Sequence, residues 1–342
     1  MTTKEEVDKG TNYTTMNTMI SPFTGGELRF SHERRELTYR KEKFEYTALF
    51  YVCVDSGEKL TTTELDTINV NQVYNQYRSK YGIPFPDEIK AIREMYGLSA
   101  SKMSVILGLG ANQYRLYENG EVPSEAIGKT LRSIMNPSVF ITYVQNSESQ
   151  FTQQELSKIY DKIEGAMKKT ACVSSAYKMP KRSIINGYAP VSISHVKNII
   201  LFYINKLGGV FSTKMNKLLF YTDFYSYKTL GYGMTGLAYK AIQYGPVPFN
   251  WNVLYGSMED VESEIISFPS GNSGEQLVSA IQPDMSTFSA EELNILNDIV
   301  SKFGSLTANQ LSELSHSEDA WLHYVGTSFP IDYTEAFTLK AL

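Results

Sequence analysis

The sequence is poor in several features that mark particular classes of protein. Its 342 residues include two cysteines, Cys53 and Cys172, which do not make a disulfide framework. Cys172 has no His or second Cys nearby and is predicted to be a small core or linker residue. No run of about 18 apolar residues is present, and residues 1–17 lack the apolar core of a signal peptide. These absences predict a cytoplasmic protein that has no membrane partner.

An excess of positive charge is also missing. Lys and Arg total 32 against 37 Asp and Glu, which gives a formal net charge of −5 at pH 7. Such a chain is not a globally basic nucleic-acid binder, so any contact with DNA must come from a local patch or from a dimer. Aromatic residues are abundant instead, with 24 Tyr and 17 Phe. That surplus suits buried cores and also surfaces that bind a partner.

Length and apolar periodicity predict the fold class. We expect two or three domains and a mainly α fold with small antiparallel β parts. The predicted regions are, in chain order, a disordered tail at 1–18, a β unit with a connecting helix at 20–81, a helix-turn-helix bundle at 87–137, a linker with a helix at 138–190, and a mostly helical C-terminal domain with a short β-hairpin at 192–342. Residues 158–182 carry seven basic side chains, which form either a solvated linker or a strip that contacts phosphate or a partner protein.

The predicted β unit contains two stretches of alternating apolar and polar residues around a charged turn at 41–43, which is typical of a hairpin. Small polar residues flank these stretches in two pairs with the same spacing, Ser21 and Thr24 before them and Cys53 and Ser56 after them. The spacing is that of paired zinc ligands, but hydroxyl groups are poor ligands for zinc. We therefore predict no bound metal and no other cofactor.

Residues 87–135 predict four short helices separated by tight turns. Ser99 is a good N-cap for the second helix, Gly108 and Gly110 supply the turn after it, and the third helix is polar. Two helices joined by a short Gly turn are typical of a helix-turn-helix. We expect the exposed polar residues of this motif to contact DNA, namely Ser101, Asn112, Gln113 and Arg115. The alternative is a purely structural helical module.

A hairpin with paired ligand positions, a connecting helix and a helix-turn-helix together resemble the layout of MqsA-type antitoxins over residues 20–137. The resemblance has two departures. Three of the four ligand positions carry hydroxyls instead of thiols. Asn112 stands where such proteins place a base-reading Asn, but the position four residues later holds Leu116 instead of Arg. Arg115 points about 100° away on a helix and is a candidate for phosphate contact. The resemblance implies a dimer that binds operator DNA.

The C-terminal region contains four short pieces that together resemble the Panacea domain, also called the SocA-like domain, across residues 192–325. The pieces are KLLFY at 217–221, GLAYKA at 236–241, GPV at 245–247, and LSELSH at 311–316 followed by Ala320 and Trp321. No single piece is specific, and the resemblance depends on all four in this order. It implies a domain that binds and neutralises a protein toxin encoded by a neighbouring gene. The whole chain then resembles a type II antitoxin that represses its own operon through the helix-turn-helix.

Tyrosines are concentrated in the C-terminal region that contains these pieces. Tyrosine is a favoured residue at interfaces because it buries a large area and keeps a polar tip. The candidates for toxin binding are Tyr221, Tyr225, Tyr227, Tyr232, Tyr239 and Tyr244. Some of them must be core residues, and those that are exposed are expected to face the toxin. We expect a homodimer or a hetero-oligomer with the toxin.

Little in the sequence indicates an enzyme. It has neither a phosphate-binding loop motif nor a nucleophile elbow. Lys217, Asp223 and His316 are the weak candidates for acid–base chemistry. We interpret Lys217 and Asp223 as solvated or ion-paired helix residues and His316 as packing near Trp321, and we predict no catalytic residue. The alternatives to an antitoxin are a stand-alone transcription regulator and a protease adaptor whose C-terminal domain binds another partner.

Overall fold

A computed structural model describes residues 20–172, 181–269 and 271–342, with side chains described up to residue 168 in the first range. The predicted tail at 1–18 and the side chain of Cys172 lie outside the described residues. The chain divides into two compact units, Met1–Val70 and Asn71–Leu342. The predicted fold class is confirmed, since the chain is mainly helical with small antiparallel sheets. No helix in the described residues is both long and apolar enough to cross a membrane.

The first unit is built on a long antiparallel hairpin. Strand β1 (Leu28–Tyr39) pairs along its whole length with β2 (Glu42–Cys53), and the short β3 (Lys59–Leu60) adds to the other edge of β2. The turn consists of Arg40 and Lys41, both with positive φ. The predicted turn at 41–43 was therefore placed too late in the sequence. A two-residue turn with left-handed backbone matches the right-handed twist of the two strands, which explains this choice.

Helix α1 (Thr63–Tyr81) follows the hairpin and begins in the first unit. Its Asn69 side chain lies buried against β2. The Leu49 amide donates to Asn69 Oδ1 at 2.8 Å, and Asn69 Nδ2 donates to the Leu49 carbonyl at 2.9 Å. The amide thus satisfies both backbone groups of one strand residue, as a neighbouring strand would do.

Six helices form a bundle in the second unit. They are α2 (Pro86–Met95), α3 (Ala100–Ile106), α4 (Gln113–Glu118), α5 (Glu125–Ser133), α6 (Pro137–Asn146) and α7 (Gln153–Cys172). Ser99 caps α3 as predicted, because its side chain accepts from the Lys102 amide at 3.2 Å. The bundle core includes Phe140 of α6 and Ile159 of α7. The bundle therefore extends past residue 137, where we had placed the start of a linker.

The basic stretch at 158–182 makes contacts at both described ends. The Lys162 ammonium donates to the Gly97 carbonyl at 2.5 Å. The Arg182 guanidinium forms a two-pronged ion pair with Asp87 at the start of α2, with distances of 2.7 and 2.5 Å. These side chains have structural roles and are not simply solvated. Residues 173–180 lie outside the described residues.

The C-terminal domain surrounds one central helix. Its helices are α8 (Ile193–Leu207), α9 (Ser212–Leu230), α10 (Trp251–Gly256), α11 (Ala290–Phe303), α12 (Ala308–His316) and α13 (Asp319–Leu322). Its strands are β4 (Val210–Phe211), β5 (Tyr239–Ile242), β6 (Gly245–Pro248), β7 (Glu262–Ser267) and β8 (Ser273–Val278). The predicted hairpin is β7–β8, to which β4 adds a third strand, while β5 and β6 form a separate hairpin. Helix α9 packs against α11, α12 and β6 and is buried along most of its length.

Candidate functional site

The four sequence pieces of the C-terminal domain come together where α9, the β5–β6 hairpin, α12 and α13 meet. The Trp321 indole donates to the Ile242 carbonyl at 2.8 Å, which ties α13 to β5. Gly245 of β6 lies so close to the two helices that a Cβ there would be 2.5 Å from Ser315 Oγ and 2.8 Å from Lys217 Cε. We call the cluster of Lys217, Gly245, Ser315, His316 and Trp321 the junction site.

Lys217 occupies the centre of the junction site and is fully buried. Our expectation of a solvated or ion-paired lysine was wrong, because other segments of the domain cover the middle of α9, where Lys217 lies. The Lys217 ammonium has no hydrogen-bond partner among the described residues. Its burial lowers the pKa of Lys217 to about 8. The group is still mainly charged at pH 7, without a compensating carboxylate beside it.

His316 lies near Lys217 and is half-buried. Its ring stacks on Trp321, with centroids 4.2 Å apart and planes inclined by 27°, as the sequence interpretation expected. The side chain is half-buried, but its Nε2 atom is inaccessible to solvent and lacks a partner in the described part of the chain. Burial and the neighbouring Lys217 charge lower the pKa of His316, while the Glu313 charge and a hydrogen bond with the Gln243 backbone oppose the decrease.

Asp223 is buried elsewhere on α9 and serves as an anchor. The amides of Met234 and Thr235 each donate to its Oδ1 at 2.7 Å. Its Oδ2 accepts from the Thr235 hydroxyl and, at 2.5 Å, from the Tyr239 hydroxyl. Burial raises the pKa of Asp223 and these hydrogen bonds oppose the rise. Asp223 was also wrongly expected to be solvated, and its contacts separate it from Lys217 and His316, so the three residues do not form an acid–base triad.

Glu318 is a buried carboxylate whose role the sequence did not reveal. It accepts from the Tyr221 hydroxyl at 3.2 Å and from the backbone amides of Lys340 and Ala341 at 2.8 and 3.1 Å. It therefore joins the segment at 340–341 to the start of α13. Helical spacing could not have revealed its burial, because Glu318 lies in the break between α12 and α13 and has extended backbone.

The candidate tyrosines divide between core and surface. Tyr221, Tyr227 and Tyr239 are fully buried, and a side chain packed in the core has no surface to offer a partner. This removes them from the predicted toxin-binding set. Tyr244, in the turn of the β5–β6 hairpin, is 63% exposed and Tyr232 is 39% exposed, while Tyr225 is half-buried. The hairpin is flanked by two further exposed apolar side chains, Phe249 and Leu322.

The predicted DNA-contacting residues lie on and beside the short helix α4. Ser101, Asn112 and Arg115 are exposed. Gln113 is half-buried, and its amide donates to Glu121 at 2.7 Å. Tyr114, one position further on, is buried, and its hydroxyl donates to the Ile89 carbonyl at 2.8 Å, which fixes α4 against α2. The helix is thus held by its inner face, and its outer face carries Asn112 and Arg115.

In the first unit, the four positions with the spacing of paired zinc ligands do converge. The Thr24 hydroxyl lies 3.3 Å from the Cys53 sulfur. Hydrogen bonds from the Ser21, Ser56 and Thr24 hydroxyls lower the pKa of the Cys53 thiol to about 6. The three hydroxyls thus cluster around the Cys53 sulfur. No group of three or more His, Cys, Asp or Glu side chains that could hold a metal ion occurs in the described residues.

Comparison with known proteins gives one match. Residues 215–322 match the family model of the antitoxin SocA-like Panacea domain, a range that includes all four sequence pieces and runs from α9 to α13. The likeness of the N-terminal half to MqsA-type antitoxins is supported by no family model. No curated protein matches the chain, and no solved structure does.

Proposed function

We propose that this chain is an antitoxin whose C-terminal domain binds and neutralises a protein toxin encoded by a neighbouring gene. The observation that carries the proposal is the Panacea match at 215–322. The packing supports it, because the matched pieces meet in one place and an exposed tyrosine, Tyr244, lies in the hairpin turn above them. We propose no catalysis, since Lys217 is buried and the Asp223 carboxylate is already occupied by four donors.

The proposed toxin-facing surface is centred on the β5–β6 hairpin. Tyr244 is its most exposed aromatic residue, and Tyr232 and Tyr225 are the other tyrosines of the predicted set that reach the surface. An exposed aromatic ring beside apolar neighbours is a common centre of binding energy at protein interfaces. We therefore propose Tyr244 as the principal contact.

The test is co-expression of the chain with the product of the neighbouring gene. We expect restored growth and a complex that elutes as one species in size-exclusion chromatography. Tyr244→Ala is expected to weaken that complex by at least tenfold. Met135→Ala removes a comparably exposed apolar side chain from the helical bundle and is the control that should leave affinity unchanged. Absence of both rescue and complex for the unaltered chain would refute the proposal.

We further propose that the helix-turn-helix binds the promoter of the chain's own operon, as a dimer. Support comes from the exposed Asn112 and Arg115 on the outer face of α4, with Ser101 on α3. The net charge of −5 argues that a single copy binds weakly, so two copies on a palindromic site are needed for useful affinity.

The same experiment separates the alternative roles. A protease adaptor lowers the amount of the bound partner when the chain is expressed, whereas an antitoxin keeps the partner in a stable complex. A stand-alone regulator has no toxic neighbour, and its operator binding responds to a small molecule. Quantifying the partner by immunoblot, with and without the chain, distinguishes the first case from the antitoxin.

A further inference from the structure

The junction site contains two buried polar atoms that the fold leaves without partners. They are the Lys217 ammonium and His316 Nε2, both inaccessible to solvent and both lacking a hydrogen-bond acceptor or donor among the residues that the structure describes. An ammonium group without a counter-charge is among the least favourable groups a protein core can contain. Two buried polar atoms without partners in one cluster therefore indicate a ligand-binding role in addition to packing.

The chain does not use its own buried carboxylates to compensate Lys217. Asp223 is occupied by donors from the segment at 234–239. Glu318 is occupied by the Tyr221 hydroxyl and by two backbone amides. No ion pair involving Lys217 exists within the described ranges. The positive charge is thus available to an acid from outside the chain.

Residues that border the site reach the surface. Gln243 and Tyr244 form the exposed turn above it, and His316 and Trp321 at its side are half-buried. Gly245, whose φ of +102° suits glycine, leaves the space that the end of the Lys217 side chain fills. Because the ammonium is inaccessible to solvent, a ligand reaches it only when the hairpin turn or the His316 ring moves.

We propose that Lys217 and His316 form a receptor for a carboxylate group, supplied by an acidic side chain of the protein that docks on Tyr244. A carboxylate supplies the missing negative charge, accepts hydrogen bonds from the ammonium, and accepts one from His316 when Nε2 carries the ring proton. A phosphate would demand more donors, and the junction site contains no arginine. The proposal rests on the proposed antitoxin function and specifies the chemistry of the contact.

The first arm of the test uses the complex with the neighbouring gene's product. Isothermal titration calorimetry is carried out with the unaltered chain, with Lys217→Met and with the exposed control Lys302→Met. We expect at least a tenfold loss of affinity for Lys217→Met and none for the control. Neutralising the partner's Asp and Glu residues one at a time should reveal one position that loses as much affinity, with no further loss when it is combined with Lys217→Met. An affinity of Lys217→Met equal to that of the unaltered chain overturns the receptor while leaving the antitoxin function intact.

The second arm uses the chain alone. Thermal unfolding is followed in sodium acetate and in sodium chloride at equal ionic strength. If the unaltered chain forms no complex, the antitoxin proposal fails. This second arm then tests whether Lys217 and His316 bind a carboxylate at all. If acetate raises the Tm of the unaltered chain but not the Tm of Lys217→Met, the site binds a free small carboxylic acid instead of a side chain of the partner protein. An equal response of both chains, together with no complex, overturns the receptor as well.

Discussion

The helical bundle and the C-terminal domain bury different kinds of residue. The bundle core is apolar, and its buried tyrosine hydroxyls donate to backbone carbonyls, Tyr96 to Ile134 and Tyr114 to Ile89. The C-terminal domain instead buries a lysine and two carboxylates around α9 and α12. A helix with one apolar stripe can keep its charges in water or in a partly buried ion pair, as Arg93 and Glu118 do in the bundle, whereas a helix that is buried along most of its length cannot keep them in water.

This difference in buried residues affects which side chains of each region can bind a partner without also stabilising the fold. In the bundle, the exposed polar face of α4 is separate from the core, so its side chains can change with little effect on folding. In the C-terminal domain, the polar residues that draw attention in the sequence also hold the fold together, as Asp223 does through four hydrogen bonds. Removing Lys217 and removing Asp223 should therefore have opposite effects on stability.

The largest expected effect is that of Asp223→Ala. The change leaves two backbone amides and two hydroxyl groups without an acceptor in the core, which should lower the free energy of unfolding by about 3 kcal/mol. Urea denaturation measures the loss. The control is Asp161→Ala, an exposed helix position in the bundle, where a change within about 0.5 kcal/mol is expected. Equal losses at the two positions would contradict the anchoring role.

The role of the outer face of α4 is tested by measuring DNA binding. Asn112→Ala should relax the preference for one base pair by roughly 1–3 kcal/mol, because an amide that reads a base edge is lost. Arg115→Ala should weaken binding to all sequences and reduce its dependence on salt. Fluorescence anisotropy with the chain's own promoter DNA measures both, and Lys302→Ala at an exposed position of α11 is the control. Unchanged binding by both variants would show that α4 does not contact DNA.

Lys217→Met should raise stability at pH 7, on the order of 2 kcal/mol, because it removes a buried charge without changing the volume greatly. The pKa of Lys217 is lowered from 10.5 to about 8, so the unaltered chain bears the full cost of the charged group below pH 8. As the pH rises from about 8 to 10.5, that cost disappears and the advantage of the variant shrinks. Denaturation curves at pH 7 and pH 10 test this, and a variant less stable at pH 7 would contradict it.

The smallest expected effect is in the bundle. Ser99→Ala removes the cap of α3 and should lower the free energy of unfolding by about 1 kcal/mol. Ser101→Ala, two residues later and exposed on the same helix, is the matched control and should be nearly neutral. Thermal unfolding of both variants provides the comparison, and a loss at Ser101 as large as at Ser99 would speak against capping.

Much of the local structure follows from the sequence alone. The cap at Ser99 is correct, because its hydrogen bond joins residues three apart and needs no distant partner. The β7–β8 hairpin also follows from the sequence, because its two strands are neighbours in the chain. The four C-terminal pieces identified in the sequence all lie within the range of the family match. The turn at Arg40 and Lys41 was misplaced by one residue, because strand twist decides the turn type.

Tertiary structure alone decided which polar residues are buried. Lys217, Asp223 and Glu318 lie in amphipathic or polar surroundings in the sequence, and nothing within a few residues shows that other segments cover them. Gly245 and Trp321, which pack around Lys217 and His316, are 28 and 104 positions from Lys217 in the chain. Burial is a sum over such distant contacts, and local periodicity contains no information about them. The junction site therefore became visible as a site, with an uncompensated positive charge, when the helices and the hairpin were assembled.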